Sequence, residues 1–329
     1  YNFEGTSARF GREQHLDLSG DATAPQNHTM VGQIPIRVDE TKLGAFALGS
    51  PTIADIDGNG DDDVIIGTSM GMIYCFNARH FYNSDGWPIQ VEHSVESRIL
   101  VEDTMGNTNL EVYVNDVGGN IYCFSDKGEV LWRRNLLQSV TDGAELRGSS
   151  AMTMGDVDGD GKPDILLADK TEIVWYRNGD WKRHVMAANL TVSDNVCIAA
   201  RDLDGDGKVE VAVGAQWNPG ETSDTEKSGA VFYLQRPNDP TQKWTPKRLH
   251  HEPTTHRMRW LKNGNSAHLI VVPLHGRGNS NGEGEGVKVM AYKFPKDPTG
   301  DWSHMVIDDS MHLTHNLDIV GDDSSEAIL

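Results

Sequence analysis

Three stretches of this chain repeat one acidic nine-residue pattern, and that pattern restricts the fold more than anything else in the sequence. They are Asp55-Ile-Asp-Gly-Asn-Gly-Asp-Asp-Asp63, Asp156-Val-Asp-Gly-Asp-Gly-Lys-Pro-Asp164 and Asp202-Leu-Asp-Gly-Asp-Gly-Lys-Val-Glu210. Each runs straight into an apolar stretch rich in β-branched residues, at 64–67, 165–168 and 211–214. Two decayed copies fit the same frame: residues 103–111 keep the end acids but carry Met105 at the third place, and residues 318–326 keep the ends plus Asp322. Residues 260–268 hold the register with no acid. First positions at 55, 103, 156, 202, 260 and 318 are 48, 53, 46, 58 and 58 residues apart. A second marker agrees, since Ile73-Tyr-Cys-Phe76 recurs as Ile121-Tyr-Cys-Phe124.

A period near 50 with short strands and Gly/Asp turns means one four-stranded blade per repeat, arranged radially. No useful length shows the 3.6-residue periodicity of a helical solenoid. The expectation is an all-β β-propeller of four-stranded blades, seven-bladed when complete, with about five and a half blades visible. Residues 45–329 form the propeller and stop inside a strand, as a ring truncated at its C-terminus would. Residues 1–44, which open at Tyr1 with no leader pattern, are expected to supply an outer strand to the closing blade.

Within each intact pattern the acids alternate with chain-turning residues, and glycines at positions four and six allow the curl. Oxygen donors converge from positions one (Asp55, Asp156, Asp202), three (Asp57, Asp158, Asp204) and five (Asn59, Asp160, Asp206). The backbone carbonyl of position seven (Asp61, Lys162, Lys208) and the acid of position nine (Asp63, Asp164, Glu210) complete five donors, which suits a hard cation such as calcium. An EF-hand is excluded, because its twelfth position would be Ile66, Leu167 or Val213 where a bidentate Glu is needed. About three structural calcium ions are therefore expected. Sites of this kind fill where calcium is plentiful, which places the chain outside the cytoplasm: secreted, periplasmic or on the cell surface.

Charge narrows the partners. Against 29 Lys and Arg stand 49 Asp and Glu, a formal net of −20, and three divalent ions would still leave −14. That field repels nucleic acid, and no apolar run is long enough to insert in a membrane. The three cysteines, Cys75, Cys123 and Cys197, form no metal-type spacing, and the first two occupy equivalent blade positions, which argues against pairing them.

Candidate chemistry lies in the last third, where eight of the thirteen histidines fall between 250 and 315. His256 and His315 precede the first loop positions of their blades by four and three residues, and so belong on or before the innermost strands. His275 and Arg277 follow the next strand. Strand alternation puts His256 and Met258 on one side and Arg257 and Arg259 on the other. A cationic pocket of this kind suits a carboxylate or keto group, stabilising an enolate while a histidine removes the adjacent proton. The alternatives are blade-to-blade ties, or an additional divalent metal at the histidine cluster with His312 and His315 as two ligands.

The acidic loops resemble FG-GAP (VCBS) repeats of integrin-type propellers. From about residue 151 the chain also resembles the propeller of aldos-2-ulose dehydratase and its relatives, the rhamnose–glucuronate lyases. That likeness rests on Ile173-Val-Trp-Tyr-Arg-Asn178, Asp194-Asn-Val196, Gly214-Ala-Gln-Trp-Asn218, Glu252-Pro-Thr-Thr-His-Arg257, Pro273-Leu-His-Gly-Arg277 and His312-Leu-Thr-His-Asn316. It implies a carbon–oxygen lyase, either a polysaccharide lyase or a sugar dehydratase, acting on carbohydrate or uronate-containing glycan. His256, His275 and His315 would be acid/base or metal-binding residues, and Arg257, Arg259 and Arg277 anion holders. Residues 46–135 are similar instead to blades of plant exine-formation proteins, through Gly119-Asn-Ile-Tyr-Cys-Phe124 and Gly128-Glu-Val-Leu-Trp132. The competing expectation is a non-catalytic, calcium-dependent adhesion or glycan-binding propeller.

Overall fold

Short β-branched runs punctuated by Gly and Asp become short antiparallel strands. In the computed structural model, residues 51–135, 151–279, 282–322 and 325–328 are described. The expected strand from residues 1–44 lies outside them. Blade one comprises β1 (Thr52–Ala54), β2 (Asp63–Gly67), β3 (Met72–Asn77) and β4 (Ile89–Gln90); blade two comprises β5 (Leu100–Glu102), β6 (Glu111–Asn115), β7 (Asn120–Phe124) and β8 (Val130–Asn135). Blade three is β9 (Ala151–Gly155), β10 (Asp164–Ala168), β11 (Glu172–Tyr176) and β12 (Arg183–Ala188), and blade four is β13 (Cys197–Arg201), β14 (Glu210–Ala215), β15 (Ala230–Gln235) and β16 (Thr245–Leu249). Blade five is β17 (Thr255–Asn263), β18 (Ser266–Pro273), β19 (Val289–Lys293) and β20 (His304–Asp308), and a hairpin of β21 (Ile319–Asp322) and β22 (Ser325–Ile328) follows.

All five blades are antiparallel meanders in chain order, so the fold is an all-β β-propeller of four-stranded blades. Among the described residues there is no helix, hence none long and apolar enough to cross a membrane. The chain divides into two compact units, one ending at Ser149 and holding blades one and two, the other holding blades three to five and the hairpin.

Burial explains the residue pattern of each strand position. The second and third strands of a blade are covered on both faces, so β10 (Asp-Ile-Leu-Leu-Ala) and β14 (Glu-Val-Ala-Val-Gly-Ala) are buried at every position. Sheet-to-sheet clusters fill the gaps: Leu166, Trp175 and Met186 pack with Val211, Val213 and Phe232 between blades three and four. Cys197, Tyr233, Met258, Trp260 and Trp302 do the same between blades four and five. In the first unit Ile65, Ile73, Val112 and Tyr122 share one cluster. Blade approach is close enough to require glycine, since a Cβ on Gly155 would stand 2.3 Å from Val209 Cγ1. All three cysteines are free and buried, and burial pushes each thiol up to about 12, which leaves them inert.

Candidate functional site

Each intact acidic pattern is the connection between the first and second strands of its blade. Ala54 pairs with Asp63, Gly155 with Asp164 and Arg201 with Glu210, so eight residues bulge out between paired ends. Position-one carboxylates gather the amides of the curl. Asp156 Oδ1 accepts from Gly159 N at 2.6 Å and its Oδ2 from Gly161 N at 2.8 Å; Asp202 accepts from Gly205 N at 2.7 Å and Gly207 N at 3.0 Å. Asp55 takes Asn59 N and Gly60 N at 3.0 and 2.9 Å. The curl needs left-handed backbone twice, at Gly58 and Gly60 (φ 70° and 90°) and at 81° for Gly159, Gly161, Gly205 and Gly207.

The ninth acid clasps the loop from below. Asp63, Asp164 and Glu210 accept the position-two amides of Ile56, Val157 and Leu203 at 3.1, 3.0 and 2.8 Å. All three are buried. Burial raises the Asp63 carboxyl, and it pushes Asp164 and Glu210 up to about 7, with neighbouring acids adding to the effect.

The structure brings together one carboxylate set per loop: Asp55, Asp57 and Asp63; Asp156, Asp158 and Asp164; Asp202, Asp204 and Asp206. Within each set the ligating oxygens lie within 4.8 Å of one another. The sets do not include Asp61, whose side chain faces Arg79 at 3.2 Å and His80 at 3.7 Å, nor Asp160, 3.8 Å from Lys162. Glu210 is also outside its set, turned to Leu203 N and to Arg236 at 3.6 Å. Crowded, partly buried, all-oxygen donors fit a hard divalent cation, which would supply the charge that the gathered acids lack.

The decayed copies separate into two outcomes. In blade two the loop survives: Asp103 accepts from Gly106, Asn107 and Thr108 amides, and Glu111 accepts Thr104 N and Thr104 Oγ at 2.8 Å each. In blade five the expected frame is gone. Leu261 pairs with His268 and Asn263 with Ser266, so β17 and β18 meet in a tight hairpin at Gly264. Residues 318–326 likewise enter a hairpin, with Gly321 opposite Glu326.

The histidine cluster in the second unit is built on a β-bulge. Thr255 pairs with Pro273 and Arg257 with Val272, so His256 is the extra residue. This overturns the expectation from alternation: the imidazole and the next guanidinium meet, with Arg257 Nη1 3.2 Å from His256 Nδ1. Arginine only donates, so Nδ1 accepts and the proton of neutral His256 sits on Nε2. His256 is 6% exposed, and burial, followed by Arg257, pushes it down to about 2. Its ring lies 5.0 Å from Trp217, near parallel, and 4.8 Å edge-on from His315. Partial burial and Arg257 also lower His315. His275 lies just past β18, near enough to act electrostatically on His256, with its amide donating to Thr254 Oγ1 at 3.0 Å and its backbone bridging Leu313. His256 Nε2 and His275 Nδ1 are both buried with no hydrogen-bond partner.

The remaining arginines are elsewhere. Arg277 places Nε and Nη2 each 3.0 Å from Glu252 Oε2, with His250 and Lys288 also beside that carboxylate. Arg259 directs Nη1 to the Met258 carbonyl at 2.9 Å. Among the described residues no three His, Cys, Asp or Glu outside the acidic loops converge closely enough to hold an ion, so the proposed histidine metal lacks a third ligand there. His312 is exposed, with its carbonyl taken by Asn279. Trp217, absent from the sequence reading of the site, is presented by left-handed Gln216 (φ 58°) just past β14 and tied to the Asp194 carbonyl at 3.0 Å. Its sequence signal is its place in the Gly214-Ala-Gln-Trp-Asn218 block, two residues past a buried strand.

The FG-GAP-like repeat family model matches residues 156–213, the span of the second and third acidic loops. No curated protein sequence matches the chain significantly. Among solved structures, the biofilm matrix protein Bap1 of V. cholerae superposes with a TM-score of 0.51 at 13% identity, covering 86% of this chain; the chain spans 43% of Bap1. BBS1N, solved in complex with ARL6DN, gives 0.52 at 10% identity over 87% of this chain and 76% of its own. Saccharomyces cerevisiae Sqt1 gives 0.52 at 8% identity over 81% and 65%. At these identities the likeness is one of fold.

Proposed function

We propose that this chain is a calcium-stabilised extracytoplasmic propeller that acts on uronate-containing or keto-sugar carbohydrate by β-elimination, as a lyase or dehydratase. The observation that carries the reading is the pair of buried, unpartnered imidazole nitrogens, His256 Nε2 and His275 Nδ1, gathered with Arg257, His315 and Trp217. In this scheme Arg257 and the His256 Nε2–H hold the oxygens of a carboxylate or keto group. His256 is too weak a base to take the proton itself, because burial and Arg257 hold it near 2. His315, kept neutral by partial burial and then by the same guanidinium, takes the proton from the carbon beside that group. The C–H electrons become a carbon–carbon double bond, the bond from the next carbon to its oxygen breaks, and that oxygen leaves with the proton that His315 took. Trp217 offers the flat apolar face on which a sugar ring packs.

Calcium is assigned to the three carboxylate sets from their donor chemistry and from the FG-GAP-like match. The resemblance to aldos-2-ulose dehydratase and the rhamnose–glucuronate lyases supports the elimination chemistry. A second reading, glycan binding or adhesion without turnover, is favoured by one feature: Arg277 is bound to Glu252, and among the described residues Arg257 is the guanidinium in contact with the clustered imidazole of His256.

The test is an elimination assay with uronate polysaccharides and keto-sugars, following ultraviolet absorbance of the new double bond. Turnover that falls at least a hundredfold in His256→Asn and His315→Asn, with calcium-dependent melting unchanged, supports the enzyme. Glycan binding that survives both substitutions with no turnover sinks it in favour of the binding module.

A further inference from the structure

Every blade whose acidic loop gathers a carboxylate set carries an arginine just past its third strand, and blades two and five, which gather none, do not. Arg177 and Arg236 directly follow β11 and β15, and Arg79 is the second residue after β3; the two residues after β7 and β19 are Ser125-Asp126 and Phe294-Pro295. Each of the three guanidiniums reaches the acidic loop of its own blade. Arg177 Nε lies 2.8 Å from Asp158 Oδ2, and its guanidinium carbon is 5.7 Å from the Trp175 ring centre. Arg236 Nη2 lies 3.6 Å from both Asp206 Oδ2 and Glu210 Oε1, while its Nη1 donates to the Val157 carbonyl of the neighbouring loop at 3.4 Å. Arg79 pairs at 3.2 Å with Asp61.

The three differ in a way that ranks them. Asp158 and Asp206 belong to the gathered carboxylate sets, whereas Asp61 does not. Side-chain exposure is 18% for Arg236, 34% for Arg177 and 72% for Arg79. A guanidinium held near a carboxylate set and shielded from water repels an incoming divalent ion more than an exposed one does.

Resting on the calcium reading above, we propose that Arg177 and Arg236 are built-in counter-cations. Each neutralises its loop when no metal is bound, and each competes with the metal for the same carboxylates. The two side chains thereby hold loop affinity below what the carboxylates alone would give, and they keep the metal-free blade folded.

The experiment is calcium titration by calorimetry, with thermal unfolding in chelator, on the full chain and on Arg177→Gln, Arg236→Gln, Arg236→Lys and Arg79→Gln. A unit charge removed from beside a doubly charged ion, even screened as in bulk water, is worth about tenfold in affinity. Arg236→Gln and Arg177→Gln should bind calcium about tenfold tighter and melt lower than the parent only in chelator. Arg236→Lys should stay close to the parent and Arg79→Gln should match it. Unchanged or weaker affinity in both Gln variants, with a parent that binds calcium, overturns the counter-cation role and leaves the calcium reading standing. A parent that takes up no calcium overturns both. Should Arg236→Gln fail to fold, Arg177→Gln decides alone.

Discussion

At His256 a single inserted residue changes what the site can do. Without the bulge its imidazole and the Arg257 guanidinium would point to opposite faces of β17; with it they touch, and the imidazole is fixed as the Nε2–H tautomer. The neutral form has a thermodynamic signature. His256 titrates near 6.5 when unfolded and is pushed down to about 2 when folded, so between those values the unfolded chain binds a proton that the native chain does not. Stability therefore falls as pH drops below about 6.5, by up to about 1.4 kcal/mol per pH unit from this residue. Urea unfolding at fixed calcium from pH 7 to pH 5 should show this slope, and His256→Asn should flatten it by close to one proton. An unchanged slope would mean that His256 is protonated in the fold. Blade register put His256 and Arg257 on the first strand of blade five, where they stand, and the crowding of histidines in the last third drew in His275 and His315. Sequence periodicity misjudged their facing and missed Trp217, because a bulge and a left-handed residue leave no periodic trace.

The acidic loop separates into two devices that the sequence presents as one. The clasp, in which the ninth acid accepts the second amide, is present in all four loops including that of blade two. The carboxylate set is present in three. Of the five donors expected per loop, three gather as carboxylates: Asp160 pairs with Lys162 and Glu210 with Arg236 outside those sets, while position seven was expected to give a backbone carbonyl, which a carboxylate set does not include. Spacing alone could not foresee that blade five would close as a hairpin, because Asn263 to Ser266 makes a tight turn in the same length of chain. The two devices predict different mutants. Glu111→Gln leaves the half-buried Thr104 amide facing a group that is half donor, so it should cost about 1 kcal/mol whether or not calcium is present. Asp164→Asn disturbs clasp and set together, so its loss should be larger with saturating calcium than in chelator. Denaturation midpoints in both conditions check this; equal losses for Asp164→Asn in the two conditions would remove Asp164 from the cation site.

Across the whole molecule the acidic excess and the cation loops belong to one balance. A chain of net −20 repels itself when compact, and the repulsion is densest where three carboxylates share a few ångströms. Four-stranded blades and strand meanders were legible because radial repetition imprints a period on the chain; the division at Ser149 showed in the sequence only as the change of resemblance near residue 151. That division makes the effect of metal separable. The first unit holds one carboxylate set, based on Asp55, and the second holds two, based on Asp156 and Asp202. Binding at about a hundred times the dissociation constant adds about 2.7 kcal/mol per site to the state that binds. Chelation should therefore lower protection from hydrogen exchange in both units, and restoring calcium should recover it. Asp55→Asn should abolish the calcium-dependent gain in residues 51–135 and spare residues 151–279, while Asp202→Asn should do the reverse in part, because the Asp156 loop remains. Magnesium, which demands a tighter octahedral shell, should give a smaller gain at equal concentration. Calcium protection that ignores both substitutions would show that the ion binds somewhere other than these loops.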